Sequence, residues 1–145
     1  MRSPLVLRGF LLGIALALAA LLGVLVGDRR PPVERHSGRI VPDPVFPGQS
    51  VTVEWRASTH RACHGLVHRQ VVDSAGTVWS LDAEPSSYAA GSRFLRRTFT
   101  IPVGTAWGPA KYRATVKFAC NPLHYWWPIT VEGPEVPFNV APPKG

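Results

Sequence analysis

Histidine and cysteine are the residues of this sequence with the widest chemical use, and several of them lie within residues 60–68. Imidazole and thiolate are natural ligands for zinc or copper. In a strand, His64 and His68 would share a face but lie roughly 13 Å apart at about 3.3 Å per residue, too far to hold one ion. A loop site that joins His60 to Cys63 or His124 stays open. We interpret the histidines as solvated loop residues and predict neither a metal nor another cofactor, with metal binding as the alternative.

The carboxylates, serines and glycines show no pattern that is typical of an active site. Catalysis usually needs an acid, a base or a nucleophile beside groups that shift its pKa, yet the carboxylates are scattered and mostly near turns. The sequence has no phosphate-binding glycine loop, no HExxH helix and no GxSxG turn. We therefore predict that the protein is not an enzyme.

The segment 121–128 (NPLHYWWP) concentrates aromatic side chains between two candidate strands. Loops of β-domains often carry recognition, and aromatic rings give a large contact area at low entropy cost. Two interpretations stay open: the tryptophans pack the last strand onto the core, or the rings are exposed and bind a partner. Side chains from the 60–64 segment could complete such a surface. The candidate binding residues are His124, Tyr125, Trp126, Trp127, His60, Arg61 and His64.

The basic charge of the chain is concentrated around one apolar segment. The formal net charge is +7, but residues 40–140 hold nine Lys and Arg against seven Asp and Glu, which leaves only +2 there. Nucleic-acid binding needs a basic patch on the domain itself, so we predict no nucleic-acid partner. The excess charge suits anionic lipid headgroups, which attract cations beside a membrane segment. These cations are Arg2, Arg8, Arg29, Arg30, Arg35 and Arg39.

Residues 9–27 (GFLLGIALALAALLGVLVG) contain no charged or strongly hydrogen-bonding side chain. As a helix they would span about 28 Å, close to the roughly 30 Å hydrocarbon core of a bilayer. We predict that residues 1–27 form a retained transmembrane signal-anchor. A cleaved signal peptide is the alternative, because Ala17-Leu18-Ala19 resembles a cleavage site, although cutting there would leave an apolar tail.

The orientation of this segment depends on two opposing signals. More Lys and Arg residues follow the segment than precede it, and the positive-inside tendency would then place the C-terminus in the cytoplasm. Translocation of a whole domain depends only weakly on such counts. We predict a single-pass membrane protein with a cytoplasmic N-terminus and a C-terminal domain that is periplasmic or extracellular.

Beyond the apolar segment, residues 28–38 combine prolines and charges without apolar periodicity, which predicts an extended linker. The remainder, 39–145, alternates apolar and polar residues between Gly and Pro, the pattern of half-buried strands. Ser74-Ala75-Gly76 is typical of a hairpin turn. Prolines confine the first and last strands to sheet edges or bulges. About seven strands are predicted, at 39–45, 50–57, 65–73, 77–82, 93–101, 111–120 and within 129–140.

Two segments, VPDPVFPGQSVTVEW (41–55) and GPAKYRATVKFAC (108–120), resemble those of immunoglobulin-like and fibronectin-III-like domains. The resemblance implies an all-β fold, an antiparallel sandwich of about seven strands over residues 39–145, preceded by one N-terminal transmembrane helix. The sequence departs from the antibody pattern, because Trp55 lies in the second strand and Cys63 follows that strand. A membrane anchor with a small sandwich also resembles uncharacterised bacterial or bacteriophage proteins, which implies no activity.

The strand positions of the resembled fold imply a disulfide. Cys63 would begin strand C and Cys120 would end strand F, its antiparallel neighbour, so the two cysteines would meet at one end of one sheet. Such a bridge favours an oxidising compartment and hence a domain outside the cytoplasm. The fold also places the N-terminus of the domain beside the loops that hold His60 and Trp126. We therefore hypothesise that this end faces the bilayer or a neighbouring membrane protein.

The function that these features favour is a membrane-anchored binding, adhesion or envelope-assembly module without catalysis. Its partners would be the membrane, through the N-terminal helix, and another envelope or membrane protein. Two alternatives stay open. One is a periplasmic metal-binding domain that uses the His/Cys cluster, and the other is a structural accessory subunit of a membrane complex.

Overall fold

The computed structural model describes residues 4–142, with only the backbone described for residues 4 and 5. The chain divides into two compact units, Met1–Arg30 and Pro31–Gly145. The first contains helix α1, Pro4–Gly27, which confirms the predicted apolar helix. Its apolar part, Val6–Gly27, is 22 residues long, about 33 Å at 1.5 Å per residue. This helix is long and apolar enough to cross a membrane, a property that a signal sequence near the N-terminus would share.

The second unit consists of β-strands and one short 3₁₀ helix. The strands are β1 Val33–Val41, β2 Ser50–Thr59, β3 Cys63–Val72, β4 Val78–Tyr88, β5 Phe94–Thr100, β6 Gly108–Ala119, β7 Ile129–Glu132 and β8 Val136–Val140. They form two antiparallel sheets. One has the order β1-β2-β5, and the other has the order β4-β3-β6-β7, with β8 also paired to β6. The predicted all-β character is therefore confirmed.

The strands differ from the prediction at both ends of the domain. Strand β1 begins at Val33, which pairs with Thr59 and is 1% exposed, so the predicted linker 28–38 ends earlier than expected. The chain then leaves the first sheet, and Val45 forms a bridge to β8 in the second sheet. The last predicted strand is divided into β7 and β8 around Gly133, whose N–H donates to the Ala114 carbonyl at 2.9 Å. Residues 4–142 therefore contain eight strands instead of about seven.

The core lies between the two sheets. Alternate residues of β2 and β6 are buried, as the period-two pattern predicts. Tyr112 of β6 stacks on Phe99 of β5, with ring centroids 4.8 Å apart, and lies 6.3 Å from the ring of Trp55. Gly38 leaves room for that tryptophan, because a Cβ at position 38 would lie 2.6 Å from its Cε3 atom.

Arg35, grouped above with the charges beside the apolar segment, lies in β1 instead. Its guanidinium carbon is 5.3 Å from the centroid of the Trp55 ring, and its Nη2 donates to the Tyr88 hydroxyl at 3.3 Å. Tyr88 lies in β4 of the second sheet, so Arg35 of the first sheet contacts both sheets. This residue is part of the folded domain and is not a linker charge.

Arg69 occupies an inward position of β3 between Val67 and Val71, where an apolar residue would be expected. Its side chain is 9% exposed and lies 3.1 Å from the Glu84 carboxylate. Its Nη2 donates to the Asp82 carbonyl of β4 at 2.9 Å, and its Nη1 lies 3.5 Å from the Thr98 carbonyl of β5. One guanidinium thus bridges the border strands of both sheets.

Candidate binding surface

Cys63 and Cys120 stand at the same end of neighbouring strands. Cys63 is the first residue of β3 and Cys120 directly follows β6, and the register pairs His64 with Ala119 beside them. Their Cα atoms are 4.9 Å apart and their Sγ atoms are bonded. The predicted disulfide is therefore confirmed. It also removes Cys63 from the candidate metal ligands, because metal binding requires a free thiolate.

The segment that follows this disulfide folds as a tight turn. The 3₁₀ helix Pro122–Tyr125 is capped by Asn121, whose Oδ1 accepts from the N–H groups of Leu123 and His124 at 3.0 and 3.2 Å. The Leu123 carbonyl accepts from the N–H groups of residues 126 and 127 at 3.1 and 2.9 Å. Asparagine is favoured at this position because its side chain satisfies N–H groups that the first turn leaves unpaired.

His124, a predicted binding residue, is buried at 1% exposure. Its Nδ1 accepts from the Cys120 N–H at 3.2 Å, and its Nε2 lies 3.3 Å from the Asn121 side-chain nitrogen. The ring therefore fills the inside of the turn and fixes its shape. The prediction that His124 is part of an exposed binding surface is therefore wrong.

The three aromatic residues after His124 are exposed. Tyr125 is 74%, Trp126 is 90% and Trp127 is 53% exposed, and we call these three residues the aromatic tip. Of the two interpretations that the sequence left open, exposure is the one observed. Ile129, 4% exposed and paired with Phe118, packs the last part of the sheet onto the core in place of the tryptophans.

The predicted residues of the 60–64 segment lie near the aromatic tip because the disulfide ties the two loops together. The His60 side chain is 38% exposed, and its Nε2 lies 3.3 Å from a carboxylate oxygen of Glu34. Arg61 is partly buried. His64 is exposed on β3, with its Nδ1 3.3 Å from the Ser87 hydroxyl. A shallow cavity of about 390 Å³ beside the disulfide is lined by His64, Ser87 and Tyr125, among others.

Two further segments complete this end of the domain: the entry of the chain, which the resemblance implied would lie here, and the β4–β5 loop, which the sequence missed. The chain enters the domain at Pro32, whose carbonyl accepts from the His60 N–H at 2.8 Å. The β4–β5 loop lies here too, because the Gly91 N–H donates to the Thr59 carbonyl and the Arg93 carbonyl accepts from the Ala57 N–H, each at 2.9 Å. We call residues 31–34, 60–62, 89–93 and 120–128 together the N-terminal pole. No short motif marks the first and third of these segments, since strand pairing alone brings them together.

The histidines that the alternative metal-binding interpretation would use do not come together in the part of the chain that the structure describes. Within residues 4–142, no group of three or more His, Cys, Asp or Glu side chains is placed to hold a metal ion. The His60 ring is beside Glu34, His64 is beside Ser87, and the His124 ring is inside its own turn. Of the predicted site residues, those of the aromatic tip are therefore the ones that expose large aromatic side chains.

Comparison of the sequence with protein-family models and with curated proteins gives no match. Among solved structures, the chain is similar to the alkylpurine DNA glycosylase AlkC of Pseudomonas fluorescens, determined bound to DNA containing an abasic site analog. The TM-score is 0.53 at 14% identity, over 83% of this chain and 33% of that chain. It is also similar to Spo0M, a sporulation control protein of Bacillus subtilis, with a TM-score of 0.45 at 11% identity, over 79% of this chain and 51% of that chain.

The chain therefore spans about a third of the glycosylase chain and about half of the Spo0M chain. At 14% identity, the likeness to the glycosylase concerns the fold alone. What the glycosylase does on DNA is a property of that protein.

Proposed function

We propose that this protein is a single-pass membrane protein whose β-domain is held outside the cytoplasm and binds a partner through the aromatic tip, without catalysis. The observation that carries the proposal is the exposure of Tyr125, Trp126 and Trp127 on a turn whose shape is fixed by Asn121 and His124. Large exposed aromatic groups are costly in water and are enriched where proteins make contacts. A rigid turn also reduces the entropy that binding must overcome.

The position of the domain outside the cytoplasm is supported by two features. Helix α1 has the length and composition of a membrane span. The Cys63–Cys120 disulfide suits an oxidising compartment, since disulfides are rare in the cytosol. A retained helix would give the domain a fixed attachment at its N-terminal pole.

An immunoglobulin-like relationship is part of the proposal, and the strand order supports it. In constant-type immunoglobulin domains, strands A, B, E and D form one sheet and strands C, F and G form the other. Here β1, β2 and β5 take the places of A, B and E, while β3 and β6 take those of C and F. The fourth strand, β4, pairs with β3 instead of β5.

The pairing of the basic side chains supports a partner other than nucleic acid. Arg39 and Arg96 on the outer side of the three-stranded sheet both bind the Glu54 carboxylate, at 2.8 and 3.0 Å. These arginines hold the pKa of Glu54 below its usual range, with the hydrogen bond from Arg39 as the largest cause. Lys111 contacts the carboxylate of Glu135 in the same way, at 2.8 Å. A phosphate backbone would have to compete with these carboxylates for the cations.

The topology is tested by thiol labelling of intact cells with a membrane-impermeant maleimide. Ala75→Cys puts a free thiol in the exposed β3–β4 turn, and it replaces a side chain that makes no hydrogen bond of its own. We expect membrane-bound Ala75→Cys protein to label in intact cells, whereas the unsubstituted chain labels only after reduction. Labelling of Ala75→Cys only after lysis would place the domain in the cytoplasm and contradict the proposal.

The binding role is tested by a photoreactive amino acid at position 126 in the membrane-bound protein. The matched control is the same group at position 107, because Trp107 is also exposed, at 61%, but lies in the β5–β6 loop at the opposite end of the domain. We expect adducts from position 126 and far fewer from position 107. Equal adduct yields at the two positions would mean that the aromatic tip is not a specific contact surface.

A further inference from the structure

The attachment of the domain is short compared with the domain itself. Helix α1 ends at Gly27 and β1 begins at Val33, so only residues 28–32 connect them. Fully extended, this connection reaches at most roughly 20 Å. Strand β6 has 12 residues and is roughly 40 Å long at about 3.3 Å per residue. If the helix spans a membrane, the connection keeps Val33, where the domain begins, within roughly 20 Å of the helix end.

The aromatic tip belongs to this same pole. Pro32, where the chain enters the domain, is hydrogen-bonded to His60. His60 precedes Cys63 by one short loop, and Cys63 is bonded to Cys120, directly before the turn that carries the tip. A chain of covalent and hydrogen-bonded contacts therefore links the point of attachment to Trp126.

We infer that the aromatic tip inserts into the headgroup interface of the same membrane that holds helix α1. This inference rests on the proposed function, because it requires a retained helix and a tip that makes contact. Trp and Tyr are enriched at the membrane–water interface, where their apolar rings and polar edges are both accommodated. The Trp126 side chain is 90% exposed, so its ring is accessible to a lipid layer.

The charged side chains of the N-terminal pole favour contact with a lipid surface. Arg93 is exposed and Arg61 is partly exposed, and cations of this kind are attracted to anionic headgroups. The acidic side chain of this pole, Glu34, lies against the His60 ring, 3.3 Å from its Nε2. Basic residues together with exposed aromatic rings are typical of contacts at the membrane interface.

The attachment also lowers the affinity that insertion needs. A domain that is tethered within roughly 20 Å of the bilayer meets it in an intramolecular event, at an effective concentration in the millimolar range for a short linker. Three aromatic side chains are a small surface for binding a free protein partner, which usually buries about 800 Å² per side. They are sufficient to orient a domain that is already held at the membrane.

The test uses the full chain in liposomes of phosphatidylcholine and phosphatidylglycerol, with lipids brominated near the headgroup as quenchers of tryptophan fluorescence. We expect quenching in the unsubstituted protein and its loss in Trp126→Ala/Trp127→Ala. Trp107→Ala is the matched control and is expected to retain the quenching, because residue 107 lies at the opposite end of the domain. Thermal unfolding of all three proteins verifies that the substitutions leave the fold intact.

Equal quenching in the double variant and in the Trp107→Ala control, or no quenching in the unsubstituted protein, would overturn the inference. Flotation of the liposomes separates this failure from a failure of the proposed function. Protein that does not float with the lipid lacks a membrane anchor, and both proposals then fail. Protein that floats without quenching, and that forms protein adducts from position 126 in cells, keeps the proposed function and rejects lipid as the partner.

Discussion

The indole Nε1 of Trp79 donates to Oδ2 of Asp73 at 3.0 Å, and this contact closes the β3–β4 hairpin, because Asp73 follows β3 and Trp79 lies in β4. The same Oδ2 accepts from the Ala106 N–H at 3.1 Å, while Oδ1 accepts from the N–H groups of Ala75 and Thr77 at 3.0 and 2.9 Å. Asp73 is 5% exposed, so its charge is stabilised almost entirely by these donors. They hold the pKa of Asp73 below its usual range, with the Trp79 bond as the largest cause.

Replacing this carboxylate is expected to destabilise the domain and to weaken its acid sensitivity. A lowered pKa contributes stability that is present above the unfolded pKa, about 3.9, and is lost as the pH falls through the folded pKa. We expect Asp73→Asn to lose about 1–3 kcal/mol at pH 7, with a smaller loss at pH 3. Urea unfolding at both pH values measures this, with the exposed Asp82→Asn as control. An equal loss at both pH values would contradict the charged network.

Tyr112 is expected to make the domain sensitive to alkali. Burial between the sheets raises the pKa of Tyr112 to about 12. A raised pKa contributes stability that is complete below the unfolded value, about 10, and is lost as the pH rises to the folded value. We expect a loss of about 2 kcal/mol between pH 10 and 12 that is absent in Tyr112→Phe. Tyr125→Phe, at an exposed site, should keep the loss. Denaturant unfolding at each pH measures this loss. If the free energy of unfolding falls equally with pH in Tyr112→Phe and Tyr125→Phe, Tyr112 is not its cause.

Gly38 is expected to tolerate no side chain. A Cβ there would lie 2.6 Å from the Trp55 ring and 2.8 Å from a methyl group of Val136, so both sheets would have to shift. We expect Gly38→Ala to lower the free energy of unfolding by about 1–3 kcal/mol, and Ser37→Ala, at an exposed neighbour, to have little effect. Denaturant unfolding measures both variants. Similar midpoints for the two would show that the packing around Trp55 can relax.

The disulfide is expected to contribute strongly to stability. Cys63 and Cys120 are 57 residues apart in the chain, and closing such a loop is worth about 4 kcal/mol on the chain-entropy model. We expect Cys63→Ser/Cys120→Ser to lose this amount in urea unfolding. The reductant dithiothreitol should destabilise the unsubstituted protein but leave the double variant unchanged. A reductant effect of equal size in the double variant would assign the loss to something other than this bond.

Asn121 is expected to hold the aromatic tip in place. Asn121→Ala removes the acceptor for the N–H groups of Leu123 and His124, a loss of about 1 kcal/mol for a helix cap. Local opening should therefore increase roughly fivefold to tenfold in amide exchange at these two positions. Asn121→Asp keeps an acceptor oxygen and serves as the matched control. Equal exchange in both variants would show that the cap does not order the turn.

The sequence predicted the interior strands well because their alternation is regular. The period-two pattern predicted β2, β3, β5 and β6 near their observed positions. The pattern is regular because one face of each strand packs against the core and the other faces outward. The outer strands were less predictable. Residues 33–38 were predicted to be part of a linker because they are charged and lack apolar periodicity. They form part of β1 instead, where Arg35 contacts the Trp55 ring and the Tyr88 hydroxyl.

The sequence predicted where the candidate site lies, but it did not predict which of the site residues are exposed and which are buried. The resemblance placed Cys63 and Cys120 together, and the observed register brings their loops to one end. Local sequence could not show that His124 turns inward while Trp126 points out, because both lie in one short polar and aromatic segment. The difference depends on a backbone N–H of Cys120 that becomes available only after β6 has ended. Arg69 was missed for a similar reason, since its contact Thr98 is distant in the chain. Asp73 was missed as well: its donors Ala75, Thr77 and Trp79 lie within six residues of it, whereas Ala106 is 33 residues away.

If helix α1 spans a membrane, the bridge that Arg69 forms has a consequence for copies of this protein that share that membrane. Proteins confined to two dimensions meet their own copies often, and an open strand border invites a strand from a neighbour to add to the sheet. Arg69 donates to the Asp82 carbonyl of β4 and also lies against the Thr98 carbonyl of β5, both on border strands. The chain itself therefore occupies the Asp82 carbonyl and contacts the Thr98 carbonyl, so these two acceptors are less available to a strand from another copy.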